Sequence, residues 1–192
     1  PRSCSGSCGG ANRDHRASSC RVNPFELAGK MNLRIVRYEE SMRQNALDIA
    51  LRAWEPVFPQ MKKAVPGFVY DAFYPDGWQA RQLSDLGQIL DDEPETVDVA
   101  LVNGVMAGWV CTRIHPEDSM GEVYVIAVAP DFQRQGIGRA LMEHSQNRAM
   151  DAGMTMMMVE TGGDPGHAPA RAAYEAGGYQ RWPVARYFKD LR

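Results

Sequence analysis

The chain has 192 residues, 44% of them hydrophobic and 23% charged, with a formal net charge of −3. This length and composition suit a globular domain that folds without disulfides or a structural metal. No apolar run approaches the roughly 20 residues that cross a bilayer, and no apolar signal segment opens the chain. Neither a membrane partner nor a secretory leader is therefore expected.

Residues 1–30 differ from the rest. PRSCSGSCGGANRDHRASSC is rich in Ser, Gly, Cys and Arg and has no periodic apolar pattern. Such a stretch cannot bury enough apolar surface to offset its ordering entropy. Met31 then opens MNLRIVRYEE, which alternates like a strand. The reading is a disordered leader or added segment over 1–30, and one domain over 31–192. Residues 1–30 hold five Lys/Arg and two Asp/Glu, leaving 16 basic and 22 acidic residues, a net of −6, in the remainder. That balance argues against a nucleic-acid partner and favours a cationic substrate. Cys4, Cys8, His15 and Cys20 can be drawn as a zinc set, but the spacing is not a standard one and no metal is expected. Cys111 sits in an apolar strand and reads as a small core residue. The cysteine usage suits a reducing cytoplasm.

In chain order, 33–38 (LRIVRY) reads as a strand. Residues 41–55 carry apolar side chains at helical spacing, with Ser41 as N-cap and Pro56 and Pro59 as terminators. Residues 60–78 are aromatic-rich, punctuated by proline and glycine, and read as a loop with at most a short helix. Residues 79–90 read as a helix. TVDVALV (96–102), Asn103-Gly104 and VMAGWVCTRI (105–114) form a hairpin around a two-residue turn. GEVYVIAVAP (121–130) is a strand, and 136–153 is a helix closed by Gly153. MTMMMVET (154–161) reads as a buried strand, APARAAYEAGG (168–178) as a helix, and 179–191 as one or two closing strands. The strand-helix-strand unit at 121–161 predicts a parallel crossover, the hairpin antiparallel neighbours. Together they predict an α/β fold, a mixed twisted sheet of six to seven strands with helices on both faces.

The most informative stretch is VIAVAPDFQRQGIGRALMEHS. A strand reaches Pro130, turns, and enters a helix through Gln133-Arg134-Gln135-Gly136-Ile137-Gly138. Glycines let the backbone approach a ligand, and the first-turn N–H groups and the helix dipole favour an anion. Arg134 and Arg139 add positive charge. The P-loop pattern is missing. The dinucleotide fingerprint is missing too, because Gly136-Ile137-Gly138 is followed by Ala140-Leu141.

That string resembles the acetyl-CoA signature of the GNAT superfamily of N-acetyltransferases, (Q/R)xxGx(G/A). VYVIAVAPDF is similar to the family's fourth strand and turn. ETGGDPGHAPARAAYEAGGY is similar to its fifth strand, loop and last helix, including Ala170, Tyr174 and Gly178-Tyr179. The resemblance covers essentially all of 31–192 and is carried mainly by 120–180. It implies that Gln133, Arg134, Gln135, Gly136, Ile137, Gly138, Arg139 and Ala140 surround a pyrophosphate, the backbone amides of 135–139 holding it. It implies that the edge at Ile126, Ala127 and Val128 pairs with the pantetheine arm between two splayed strands. An N–H near Val128 then faces the thioester oxygen. Tyr174 matches the family's frequent general acid. Glu122 lies eleven residues before Gln133, the spacing of the base in the histone acetyltransferase branch. Period-two alternation puts it on one face with Tyr124, Ile126 and Val128. One departure is His167, where many members carry Asn three residues before Ala170. A histidine there contacts the cofactor, moves a proton, or is a plain loop residue.

The acceptor is less legible. Tyr74, Asp76 and Trp78 are candidates for its wall. Asp91, Asp92, Glu93, Glu95 and Asp98 form a run that is either a solvated loop or an attractor for a polycation. The expected activity is acetyl transfer from acetyl-CoA to a small-molecule amine, with an aminoglycoside as the leading class by analogy. Protein amines, or a non-catalytic acyl-CoA sensor, are the alternatives. VARYF (184–188) leaves a homodimer open.

Overall fold

The structure is a computed structural model that describes residues 31–192. The readings of 1–30, including Cys4, Cys8, His15 and Cys20, lie outside the described residues. One mixed sheet runs in chain order: β1 (Leu33–Arg37), β2 (Val97–Val102), β3 (Val105–His115), β4 (Met120–Val128) and β5 (Met156–Val159). Strands β1 to β4 are antiparallel neighbours, and β5 pairs parallel to β4. The β2–β3 hairpin turns at Asn103 and Gly104, whose φ angles of 51° and 84° match the two left-handed residues that such a turn demands.

Helices cover both faces, as the alternation of buried positions requires. On one face, α1 (Arg43–Trp54) and α4 (Trp78–Asp92) bury Leu47, Ile49, Leu86 and Leu90 against Val97, Val99, Trp109 and Cys111. Trp109 is fully buried, and its indole Nε1–H donates to the Ala46 carbonyl at 2.9 Å, fixing α1 to the centre of β3. On the other face, α5 (Ile137–Asp151) lays Ile137 and Leu141 on Ala107, Val110 and Val123. Polar links reinforce it. Thr112 Oγ1 donates to Ser145 Oγ at 2.8 Å, and that hydroxyl donates to the Leu141 carbonyl.

Several expectations change. Ser41 does not cap α1. It lies in a 3₁₀ turn (Glu40–Met42), and Met42 precedes the helix without a side-chain cap. Residues 60–78 contain two short helices, α2 (Phe58–Ala64) and α3 (Gly67–Phe73). Pro59 falls in the first turn of α2, where its missing N–H costs nothing. Strand β5 has only four residues, none of them fully buried. Residues 179–192 form no strand, so the sheet has five strands rather than six or seven. The alternation there finds no apolar surface to cover. Trp182, Val184, Tyr187 and Leu191 stay exposed, and Pro183 removes a ladder donor. Phe188 rests edge-on against Phe73, and Arg181 and Arg186 pair with Glu175 and Glu160.

The other change concerns β4. Its register against β3 shifts so that Thr112 faces Val123 while Cys111 faces Val125, leaving Tyr124 unmatched. This bulge puts Tyr124 and Val125 on consecutive positions of one side. Val123, Ile126 and Val128 then pack with the α5 core, and Val125, Ala127 and Ala129 with the α1/α4 core. Simple alternation of Glu122, Tyr124, Ile126 and Val128 therefore fails. Glu122 stands opposite Arg113, on the α4 side, away from Ile126 and Val128.

Asp98 on β2 is 2% exposed and is met by Arg148 at 3.1 Å, His144 at 3.1 Å and Arg37 at 3.4 Å, clamping α5 to β2. Removing one member of a buried charge network leaves the others unpaired and desolvated. Asp98→Ala is expected to lower the unfolding free energy by about 3 kcal/mol, read by urea denaturation. A loss below roughly 1 kcal/mol, the level of a surface pair, would show the network to be incidental.

Candidate functional site

Between β4 and α5 the chain makes a turn built to leave donors free. Pro130–Phe132 forms a 3₁₀ turn, and Arg134 and Gly136 both take left-handed backbone, with φ of 58° and 85°. For arginine that conformation costs about 1 kcal/mol, and such strain gathers where a ligand is gripped. Two side chains staple the turn. Gln133 Nε2 donates to the Val128 carbonyl at 3.1 Å, and Gln135 Nε2 to the Asp131 carbonyl at 2.9 Å. The first backbone bond of the helix runs from Ala140 N–H to the Gly136 carbonyl. Among the described residues no backbone carbonyl accepts from the N–H groups of 135–139, and no side chain caps the helix. Five successive donors at the positive end of a 15-residue helix make an anion cradle. Arg139 is exposed and paired to Glu143 at 2.7 Å, so its guanidinium is partly engaged. Ala140 is half-buried behind the cradle.

Beside this turn lies an open strand edge. Pairing of β4 with β5 covers Met120–Val123 and stops at Val123–Val159, whereas β4 continues to Val128. From Tyr124 to Val128 the strand has a neighbour on the β3 side only. Ala129 N–H donates to Ala107 across β3, and strand alternation turns the peptide groups of Ile126 and Val128 the other way, toward the open edge. An extended arm can pair there as an added strand. The residues present thus fit a diphosphate followed by a pantetheine chain.

Helix α6 (Ala168–Ala176) carries Tyr174, His167 at its entry, and the half-buried Ala170. Burial raises the Tyr174 phenol above its ordinary value, and Tyr179, 6.1 Å away between ring centres, adds to the effect. The phenol stays protonated at neutral pH and can give its proton away. Glu122 is 13% exposed, and its Oε2 meets His115 Nε2 at 2.9 Å. His115 in turn lies 3.8 Å from the exposed Glu117. His167 Nδ1 meets Asp164 Oδ2 at 2.6 Å. Sequence reading missed His115 and Asp164. The Asp164-x-x-His167 spacing was a usable signal, whereas the His115–Glu122 contact needed the β3–β4 register.

The aromatic candidates come together around Phe58. Trp78 stacks on it at 4.1 Å and Tyr74 meets it edge-on at 5.5 Å, while Asp76 remains exposed at the loop tip. Burial also pushes the Tyr74 phenol up. The acidic run is largely spent on structure. Asp91 makes a bidentate pair with Arg43, which holds its carboxyl below the usual carboxylate range; Glu93 pairs with Arg113, and Asp98 is buried. A cleft of about 300 Å³ remains, lined by Asp85, Asp92, Glu93, Arg113 and Tyr124. Arg113 lies flat over the Tyr124 ring at 3.3 Å. Glu122 stands opposite Arg113 in the β3–β4 register. Among the described residues no group of three His, Cys, Asp or Glu side chains is arranged to hold a metal ion, and no helix is long and apolar enough to cross a membrane.

A carboxylate in the first turn of α5 separates fold from site. A Cβ at Gly138 would lie 3.7 Å from Val128 Cγ2, an ordinary contact, so a side chain fits. Acidic residues at a helix start normally stabilise it, yet there they repel a bound anion. Gly138→Asp is expected to keep the melting temperature within a few degrees and weaken CoA binding at least about 100-fold, roughly 3 kcal/mol, by calorimetry. Unchanged affinity would place the diphosphate elsewhere.

The fold is shared with solved acetyltransferases. An aminoglycoside N-acetyltransferase crystallised with CoA superposes with a TM-score of 0.56 at 14% identity, covering 86% of this chain and 99% of that one. The ribosomal-protein-S18-alanine N-acetyltransferase of Escherichia coli gives 0.57 at 24% identity, covering 83% and 86%. By sequence, a mycothiol acetyltransferase of Thermomonospora curvata is 34% identical over 48% of this chain and 30% of its own length. The ribosomal protein bS18-alanine N-acetyltransferase of Escherichia coli K12 is 34% identical over 45% of this chain and 55% of its own. The chain thus spans from about a third to about half of these relatives. A model of the acetyltransferase (GNAT) family matches residues 68–179, more than half of the sequence and all of the cradle, open edge and α6, and the chain belongs to that family.

Proposed function

We propose that the protein transfers an acetyl group from acetyl-CoA to the primary amine of a small cationic acceptor. The observation that carries this reading is the continuity of the 135–139 donors with the unpaired edge of β4. Bound acetyl-CoA supplies a thioester, an acetyl group already activated for attack by an amine. The chain's residues divide the remaining work. Glu122 accepts a proton from the entering ammonium, which ordinarily holds it up to a pH near 10, and so frees the nitrogen lone pair. The Val128 N–H steadies the oxygen as negative charge gathers there. Tyr174 gives its proton to the departing sulfur, and its raised value keeps it an acid across the working pH range.

The cleft by Tyr124 supports a compact cation, since Asp85 and Glu93 are paired with Arg81 and Arg113 and the Asp92 charge is left over along its walls. An aminoglycoside is the leading class. A second reading, a protein N-terminal amine, is favoured by the 34% identity to the bS18-alanine enzyme.

Thiol release from acetyl-CoA with kanamycin, gentamicin and alanine-started peptides separates the two acceptor classes. CoA binding without thiol release from any amine would leave a sensor. Tyr174→Phe is expected to keep CoA affinity and lower kcat at least about tenfold. Because the acid must be protonated, and its value lies above the free phenol's 10.0, the wild type should not lose this contribution as pH rises toward 10. Glu122→Gln should lower kcat and flatten the acidic limb of the rate profile. A profile superimposable on the wild type would remove Glu122 from the mechanism.

A further inference from the structure

Amine acetylation takes two protons from the nitrogen, and the proposed reading places a base for only the first of them. The nitrogen arrives as an ammonium and ends as an amide N–H, so it sheds two protons, while the sulfur gains one. The proposed reading assigns the first nitrogen proton to Glu122 and the sulfur proton to Tyr174. The second nitrogen proton leaves as the N–C bond is made and the C–S bond breaks, and a base held beside the nitrogen speeds its departure.

The loop between β5 and α6 holds a group shaped for that. Asp164 is 7% exposed, and both its oxygens are occupied. Oδ1 accepts the Gly166 N–H at 2.9 Å, and Oδ2 meets His167 Nδ1 at 2.6 Å. An ionised carboxylate only accepts, so in the neutral ring the proton sits on Nδ1 and Nε2 carries the lone pair. The His167 side chain is 27% exposed, so that nitrogen can be reached. The loop is braced for this purpose. Arg171 Nη1 donates to the carbonyls of Gly162 and Asp164 at 2.6 and 2.7 Å. A Cβ at Gly162 would fall 2.6 Å from His167 Nδ1, so only glycine leaves room for the pair.

Its place in the fold is equally specific. Gly166 lies directly against the Val57 carbonyl, and the next residue, Phe58, is the ring on which Trp78 stacks. At its other end α6 reaches α5, where Gly177 touches Met142 and Tyr179 accepts from Gln146. Helix α6 therefore starts beside the aromatic cluster and ends against α5, the helix whose first turn carries the free donors. His167 stands at the end beside that cluster, and Tyr174 two turns on.

We propose that His167, oriented by Asp164, is the general base that takes the second proton from the attacking nitrogen. This rests on the transferase reading above. The proton then on Nε2 restores Tyr174 through solvent, and Glu122 releases its own, so one proton leaves per turnover. The role differs from a cofactor contact, which would act on acetyl-CoA affinity alone.

The test uses the full chain and the amine that the acceptor panel identifies. His167→Ala and Asp164→Asn are each expected to lower kcat, the first about 100-fold and the second at least tenfold. The KM for acetyl-CoA should stay within about threefold in both. His167→Asn, which keeps a hydrogen-bonding side chain but no base, should fold and lose kcat as fully as the alanine variant. The imidazole ¹⁵N spectrum of the wild type should show a protonated Nδ1 and a bare Nε2, a pattern lost in Asp164→Asn. Unchanged kcat, a rise confined to KM for acetyl-CoA, or a proton found on Nε2 each overturns the assignment. A loss seen in Glu122→Gln and Tyr174→Phe but not in His167→Asn rejects the dyad and spares the transferase. A wild type that binds acetyl-CoA and acetylates no amine rejects both.

Discussion

The molecule turns on backbone groups left without partners. Peptide N–H and C=O groups are nearly always paired in a folded protein, yet here two adjoining rows are free. Among the described residues, one is the edge of β4 beyond Val123, save the Val128 carbonyl that Gln133 takes, and the other is the run of N–H groups from Gln135 to Arg139. They meet at the turn that Gln133 ties back to Val128. Free donors are useful to a ligand only if they cannot relax toward each other. The interior supplies that stiffness. Trp109 fixes α1 to one face of β3, Thr112 and Ser145 fix α5 to the other, and Asp98 binds α5 to β2 from below. The strain at Arg134 persists because these elements over-determine the turn.

Local signals in the sequence were sufficient for most elements. The Asn103-Gly104 hairpin, the α5 entry at Gly136 and the long α4 pattern follow from turn chemistry and periodicity, and the structure places all three there. What failed depends on distant partners. Tyr179–Arg192 alternates as a strand should, but alternation states only that one face would suit burial, and Trp182, Val184, Tyr187 and Leu191 stay exposed. The bulge at Tyr124 is invisible for the same reason. It arises from the register of β3 against β4, and it reverses the side on which Glu122 stands relative to Ile126.

Charge was the least legible property. Counted along the chain, Asp91, Glu93 and Asp98 belong to one acidic run that could draw in a polycation. In the fold each meets an arginine from a different element: Arg43 on α1, Arg113 on β3 and Arg148 on α5. The run is therefore mostly a set of clamps. The negative character left for a ligand in the cleft by Tyr124 rests on Asp92, since Asp85 there is paired with Arg81. A steering argument drawn from a run of like charges overlooks partners that arrive from elsewhere in the chain.

The described residues hold two carboxylate–imidazole pairs built in opposite order. In one, Glu122 is the more buried member and uses a single oxygen on His115, so a carboxylate oxygen remains to meet a ligand while the imidazole lies toward Glu117 and solvent. In the other, Asp164 has both oxygens engaged, and the imidazole presents the free atom. A carboxylate and a neutral imidazole differ by about two units in ordinary proton affinity. In the mechanism we propose they suit different moments of one reaction: the carboxylate draws a proton from a full cation, and the imidazole accepts one from a nitrogen that is losing its charge as it forms a bond. The reversal follows from backbone placement, since Glu122 extends from a paired strand whereas His167 caps a helix behind a loop that Arg171 holds closed.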